Sequence, residues 1–408
     1  MGIITPTMSA RRARFPLGHA IGLDELERDP YPVFARLREH EPISWVTVLN
    51  MWYVVGYENV RTALLDSARL TTASVQSTIY DTFGTQILTS EGAIHDRYRA
   101  AAKQSFTPKY IHSHLEPAIR TAANMLVSEF EARGQVELRA AFASRLPIQV
   151  MLLLCGMPAS IEPQMRRWYD SFEAALANFA GNPRVRERAR QSVVEFHAML
   201  DAAMISMGQT DEHTLLAHLV RAPVAERLSS EEIKRNLSII LFGGISTVEA
   251  LILNSLWALF EHPDTLRRVQ NDSTLIPKVI EETMRWMSPV QSATRHVTES
   301  FEWQGIEFSQ HDTVNCMLGA ANRDPSVFED PDRFDLDRAN SRRHLGFATG
   351  SHACLGSHLA KAEVGAGLQT LLARLRNLRM DRSLTQPPSG YEFRQPRQLT
   401  VSWDPVGR

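Results

Sequence analysis

Cysteine is scarce: 408 residues contain three, Cys155, Cys316 and Cys354, an odd number too widely spaced for a disulfide framework. That argues against a stapled secreted scaffold and for a reducing compartment, and it leaves each cysteine to be explained as a thiol. Net charge is almost absent as well. The 44 Lys and Arg face 46 Asp and Glu, so no global field selects nucleic acid or an anionic membrane as partner. No uninterrupted apolar run reaches the roughly 18 residues of a membrane-spanning helix. The first twenty residues lack the continuous apolar segment of a secretory signal, and Pro6 stands where N-myristoylation wants Ser or Thr. A cytoplasmic protein free of membrane is expected. Internal repeats and low-complexity linkers are missing too, with 21 Gly and 21 Pro scattered along the chain. Residues 1–408 therefore read as one domain, with a flexible stretch over 1–20.

What is present is mainly helical periodicity. Ile43 to Gly56 alternates as a hairpin with its turn near Leu49-Asn50, a second strand-like region runs from about Ala293 to Met317, and a short one lies around Gln398 to Trp403. Helical patterns cover Pro108 to Arg133, Ile148 to Cys155 and a long stretch opening at Ser229. The fold class is mainly α with a smaller, discontinuous β region (α+β). The long helix starts with a capping box, Ser229 to Glu232, and runs to Glu261 before His262-Pro263. Its centre, Leu237 to Phe242, is apolar all round except for Ser238, which predicts burial through the core. Gly243-Gly244 interrupts it, and each mid-helix glycine costs about 1 kcal/mol relative to Ala. Close approach by something bulky, a deliberate distortion, or helix packing through small residues would each account for the pair. Thr247, one turn on, can bond back to the Gly243 carbonyl.

The strongest local signal is His344 to Gly356, HLGFATGSHACLG, a glycine-punctuated loop leading into a helix from about Ser357 to Leu375. Cys354 lies at the mouth of that helix, where unpaired N–H groups and the helix dipole favour the thiolate. Gly350 supplies a turn, and Gly356 lets backbone approach the sulfur. A thiolate metal ligand meets these conditions. Zinc suits them poorly, because no second cysteine is near. For an isolated Cys, a buried structural cysteine at a helix start would be the favoured explanation.

Phe347, Gly350, Cys354 and Gly356 resemble the FxxGxxxCxG loop of the cytochrome P450 family, and the resemblance extends over most of the chain. It implies the cytochrome P450 fold with a long central helix over the haem, haem b bound through Cys354, and activation of dioxygen to oxidise a small organic substrate. Glu282 and Arg285 resemble the family's ExxR pair, with Arg333 as the third member of that structural triad. His95 and Arg99, one helical turn apart, resemble the HxxxR pair on one side of the porphyrin, and Arg295 and His352 resemble the propionate partners on the other. Gly243, Gly244, Ser246 and Thr247 align with the oxygen-activating stretch, where Thr247 would handle the oxygen and the two glycines would give it room.

The departures from the pattern matter as much. Ser246 replaces the usual acid, which puts proton delivery in question, and Glu249 faces about 200° away from Thr247. That departure leaves specialised chemistry, such as oxidative coupling, nitration or peroxide-driven oxidation, as the alternative, and a non-catalytic haem sensor as a more distant one. Ala348 stands where the loop commonly has Gly, so ordinary dihedrals are expected there. No flavin or iron–sulfur domain fits in the chain, so the resemblance implies electrons from NAD(P)H through a ferredoxin and its reductase. Lys103, Lys109, Arg342 and Arg343 are candidates for a basic docking patch. Substrate choice is expected from Thr71 to Ser90, with Tyr80, Phe83 and Gln86, and from Met165 to Arg190. A secondary-metabolite intermediate is the family-level expectation.

Overall fold

Alternation in ISWV and MWYV produces the hairpin read from the sequence, as strands Ile43–Val46 and Met51–Val54 with Asn50 at φ 54° in the turn. This computed structural model describes residues 8–405, apart from 177, 179–180 and 207–212. The chain groups into two compact units: one comprises Met1–Thr72, Ala250–Cys354 and Asn377–Ser402, the other Ala73–Glu249, Leu355–Arg376 and Trp403–Arg408.

In the first unit the hairpin extends into a five-stranded sheet. Met51–Val54 pairs in parallel with Thr313–Cys316, which pairs antiparallel with Ala293–Val297, which in turn pairs antiparallel with Leu70–Thr71 at the edge. Both flanks of the hairpin are dry. Trp45, Trp52, Phe308, Val314 and Phe328 pack in one cluster, and Phe34, Leu37, Tyr53 and Val55 in another. The expected flexible start is corrected for residues 8–20. They form helices Met8–Arg14 and Pro16–Ala20, pinned by an Arg11–Asp312 ion pair at 2.6 Å and a buried Phe15. The rest of that stretch, 1–7, lies outside the described residues.

The second unit is helical. Helices Gly92–Lys103, Glu116–Ser128, Arg145–Cys155, Glu162–Leu176, Pro183–Ser206 and Ser357–Arg374 carry most of it. The pattern read as helix from Pro108 to Arg133 is broken into a short α turn, a π-helical turn Ile111–Leu115, Glu116–Ser128 and a 3₁₀ turn. The long helix runs unbroken from Ser230 to Glu261, roughly 48 Å at 1.5 Å per residue. The glycines therefore do not interrupt it, which corrects the expectation. It is long and apolar enough to cross a membrane by composition, but 78% of that apolar window is buried inside the protein.

Candidate functional site

The cysteine loop is folded by its own backbone. The Cys354 N–H donates to the Phe347 carbonyl at 2.9 Å, and Ala353 N donates to Gly350 O at 3.1 Å. Gly350 has φ +80°, and a Cβ there would meet the Leu64 carbonyl oxygen at 3.1 Å, so the position needs glycine. Ala348 also lies in the left-handed region, at φ 55°. Ordinary dihedrals were expected there, and the correction explains why glycine suits that position. Gly356 is less constrained than its motif suggests: it caps the following helix at φ −87°, and its nearest Cβ neighbour is Phe106 at 4.0 Å.

The three thiols differ sharply. Cys155 and Cys316 are buried, and loss of hydration pushes them up to about 12 and about 11, where the thiolate is out of reach. Cys354 is exposed. Among the described residues no group of three or more His, Cys, Asp or Glu is arranged to hold a metal ion by itself. A haem iron can be held by a single thiolate from the protein, so the exposed Cys354 would suit that group.

Two of the four expected propionate partners sit together in the first unit. Arg295 is buried on the strand Ala293–Val297, and His352 Nε2 lies 3.2 Å from Thr72 Oγ1. The edge pairing Thr71↔His296, continued by one residue, carries Thr72 to the level of Arg295. Thr72 was not anticipated, since only strand register reveals it. The other two partners lie one turn apart on Gly92–Lys103 in the second unit. His95 is buried, with Nδ1 3.1 Å from Asp96 Oδ1. Arg99 is half-buried and makes no hydrogen bond or ion pair among the described residues, as suits a guanidinium that meets an external anion. Arg97 and Tyr98 on the same helix both donate to Glu232, at the start of the long helix. Burial opposes that carboxylate's charge, but bonds from Arg97, Ser229 and Tyr98 pull it down to about 2. The Ser229 to Glu232 capping box is present as expected.

On the long helix the aligned stretch presents one uncovered stripe. Ile240, Gly244 and Thr247 are half-buried and Gly243 is exposed, whereas Leu237, Leu241, Ile245, Val248 and Glu249 are buried. The Thr247 hydroxyl donates to the Gly243 carbonyl at 2.7 Å, as expected. The glycines divide the alternatives between them. A Cβ on Gly244 would meet Met151 Sδ at 2.6 Å, so that glycine serves packing, while a Cβ on Gly243 would meet nothing within 4 Å. Glu249 points away from the stripe and pairs with Arg139. Ser246 is buried beside the Tyr169 phenol.

The buried charged triad is corrected. Glu282 and Arg285 are fully buried and joined by two hydrogen bonds, at 2.9 and 2.7 Å. The third side chain is Arg338, its Nε 3.2 Å from Glu282. Arg333 contributes only its carbonyl, which accepts from Arg285 at 2.8 Å, and its side chain is 68% exposed. Arg338 closes the same PDRFDLDR run, so the signal was in the sequence, five residues on.

Of the positions expected to shape substrate choice, Gln86 is buried and spends its side-chain oxygen on the Leu88 N–H, and Phe83 packs on Phe172 and Phe242. Tyr80 is half-buried. Part of Met165 to Arg190 falls outside the described residues. Lys103 and Lys109 are exposed in the second unit, and Arg342 and Arg343 are exposed in the first.

The family model described as Cytochrome P450 matches residues 182–396. The chain is similar to cytochrome P450 monooxygenase PikC of Streptomyces venezuelae, at 33% identity over 89% of this chain and 87% of that protein. It is similar also to 6-deoxyerythronolide B hydroxylase of Saccharopolyspora erythraea, at 31% identity over 86% and 90% of the two chains. Among solved structures, CalO2 superposes with a TM-score of 0.86 at 28% identity, covering 95% of this chain and 98% of that one.

Proposed function

Because the chain belongs to the cytochrome P450 family, we propose that Cys354 is the thiolate ligand of a haem b whose propionates are held by His95, Arg99, Arg295 and His352. The protein is a haem-dependent monooxygenase-type oxidoreductase that draws electrons from a redox partner. The observation that carries the assignment is Cys354 as the one exposed thiol of three, in a loop held open by left-handed Ala348 and Gly350. When bound, the haem supplies reduction of dioxygen and oxidation of the substrate, with the thiolate favouring O–O cleavage.

The chain's own residues set the conditions for that chemistry. Arg99 and Arg295 bring positive charge to the propionates in a site of low dielectric. Gly243 leaves its side of the long helix open. Thr247 commits its proton to the Gly243 carbonyl, so its oxygen remains able to accept a hydrogen bond on the uncovered stripe. Thr247 and Gly243 are thereby placed to handle oxygen and protons, and Gly244 keeps Met151 packed behind them.

The substrate we propose is a secondary-metabolite intermediate, a reading supported by the relative named for hydroxylating 6-deoxyerythronolide B. Electrons would come from NAD(P)H through a ferredoxin and its reductase. The exposed Lys103, Lys109, Arg342 and Arg343 support an acidic carrier. Residues 1–408 would act as a single cytochrome P450 domain.

The test is the spectrum of the dithionite-reduced protein with carbon monoxide. A strongly red-shifted Soret band in wild type that is absent from Cys354→Ala supports thiolate ligation. An imidazole-like carbonyl complex in wild type would overturn it.

A further inference from the structure

Away from the site already described, the second unit brings imidazoles together at one place on its surface. His114 is exposed on the π-helical turn Ile111–Leu115, and His213 is exposed just before the helix Leu215–Val220. Their ring centres are 4.7 Å apart at a tilt of 41°, neither the parallel of a stack nor the right angle of an edge contact. The backbone under both rings is held in place. Thr107 Oγ1 accepts the Tyr110 N–H at 3.3 Å, the Tyr110 hydroxyl donates to the His213 carbonyl, and Thr214 caps the next helix by accepting the Ala217 N–H at 3.1 Å. The Tyr110 ring also stacks on His114, at 4.7 Å and 18°. His114 Nδ1 lies 3.2 Å from the Tyr110 carbonyl, which can only accept, so Nδ1 carries the proton and Nε2 keeps its lone pair. Among the described residues, neither His114 Nε2 nor either ring nitrogen of His213 has a hydrogen-bond partner.

From this geometry we propose that His114, through Nε2, and His213 chelate a late first-row divalent cation, zinc, nickel or copper(II), at a surface site that does not depend on the haem-thiolate reading. The spacing of the rings carries the assignment. A metal about 2.1 Å from each nitrogen lies about 3.2 Å from each ring centre, so two imidazoles at about 90–109° around one ion put their centres about 4.5–5.2 Å apart. The observed 4.7 Å falls inside that range. A ligating histidine usually donates its other ring N–H to a carbonyl or carboxylate, which fixes the tautomer and makes the ligating nitrogen more basic. The Tyr110 carbonyl does this for His114. Imidazole selects zinc, nickel and copper over magnesium or calcium, which ask for oxygen. The turn that carries His114 is itself π-helical, a rare form that concentrates at functional sites. The neighbouring histidines are engaged elsewhere. His112 Nδ1 lies 3.1 Å from Glu116, and His218, edge-on to Tyr110, has Nδ1 2.6 Å from Ser105 Oγ. No third His, Cys, Asp or Glu completes the group among the described residues, so water or a ligand from outside takes the remaining positions on the ion. The ion ties the π-helical turn to the start of Leu215–Val220 and thereby stabilises the folded chain by mass action.

The test titrates the protein as purified, freed of any affinity tag, with nickel and with zinc in a calorimeter, as wild type, His114→Ala, His213→Ala and His112→Ala. Wild type is expected to take one ion per chain with a Kd of about 100 μM or tighter. Binding should weaken about tenfold or more in His114→Ala and in His213→Ala, and stay as it is in His112→Ala. Because these rings are exposed, all three variants should melt within about 1 °C of wild type in EDTA, which separates loss of a ligand from loss of the fold. At about a hundred times Kd, zinc should raise the wild-type midpoint by about 3 °C, and either ligand variant should abolish that shift. No saturable binding below about 1 mM, or binding that survives both His114→Ala and His213→Ala, would overturn the site. An equal loss in His112→Ala would overturn its assignment to this pair. The red-shifted carbonyl band reports on Cys354 alone, so its presence or absence leaves the metal site to be decided by the titration.

Discussion

Replacing Glu282 by Gln should destabilise the protein far more than any change at Arg333. The Glu282 carboxylate accepts two bonds from Arg285, one from Arg338 and one from the Asp335 N–H, with no exposure to solvent. Glu282→Gln keeps the shape but leaves two guanidiniums, Arg285 and Arg338, buried together without a counter-charge. Breaking a buried pair in this way costs about 3–5 kcal/mol. Unfolding entropy of about 2.1 cal/mol/K per residue amounts to roughly 0.9 kcal/mol/K for 408 residues. The melting midpoint should therefore fall by about 4–6 °C. Arg338→Met leaves one cation on one carboxylate but gives up the bonds Arg338 makes to the carbonyls of Glu329, Asp330 and Arg333, so about 2–3 °C is expected. Arg333→Ala removes an exposed side chain whose nearest carboxylate, Asp335, is 3.9 Å away, and should move the midpoint by less than about 1 °C. Calorimetry or circular dichroism of the haem-loaded variants decides. If Arg333→Ala proves as damaging as Arg338→Met, the reassigned triad is wrong.

Thr247→Ala should divert reductant to peroxide or water, measured as electrons consumed per product, and unchanged coupling would remove that residue from the oxygen face. Gly350→Ala should lower stability by about 1–3 kcal/mol and weaken haem retention, because φ +80° and the Leu64 carbonyl both oppose a side chain, while Gly356→Ala should be nearly neutral. Equal effects in thermal melts would contradict that division. Burial, then Arg295 and His311, pull His296 down to about 4 from an ordinary value of about 6.5, so the fold favours the neutral ring. The stability this brings is whole above about pH 6.5 and is lost as pH falls toward 4, by up to about 3 kcal/mol. In denaturant titrations across that window His296→Gln should flatten the loss, and an unchanged profile would count against the assignment.

Local chemistry made much of this legible in the sequence. The hairpin, the Ser229 cap, the end of the long helix before His262-Pro263 and the bond from Thr247 to Gly243 each depend on residues a few positions apart. Features set by distant pairings were not legible. Thr72 joins His352 only because the edge strand pairs beside Arg295, and Tyr169 meets Ser246 only through helix packing. Arg333 misled for a different reason. A motif records which residue occupies a position, but not whether its side chain or its carbonyl makes the contact. Ala348 misled because its left-handed φ is imposed by the loop around it, and Ala does not signal that conformation as Gly does.

The glycine pair shows how magnitudes settle what a pattern leaves open. Two mid-helix glycines cost about 2 kcal/mol in propensity. The same helix buries Leu237, Leu241, Ile245, Val248, Leu251 and Ile252, each worth about 1.5–3 kcal/mol. Burial exceeds the propensity cost several-fold, so the helix has no energetic reason to break, and it does not. What the pair changes is the surface. Ala at 244 would have to displace Met151, costing about 1–3 kcal/mol. Ala at 243 would recover about 1 kcal/mol of helix propensity and meet no atom. A glycine kept where alanine would be both tolerated and more stable is explained by what must approach that face, the same face on which Thr247 holds its hydroxyl and beside which Ser246 is buried.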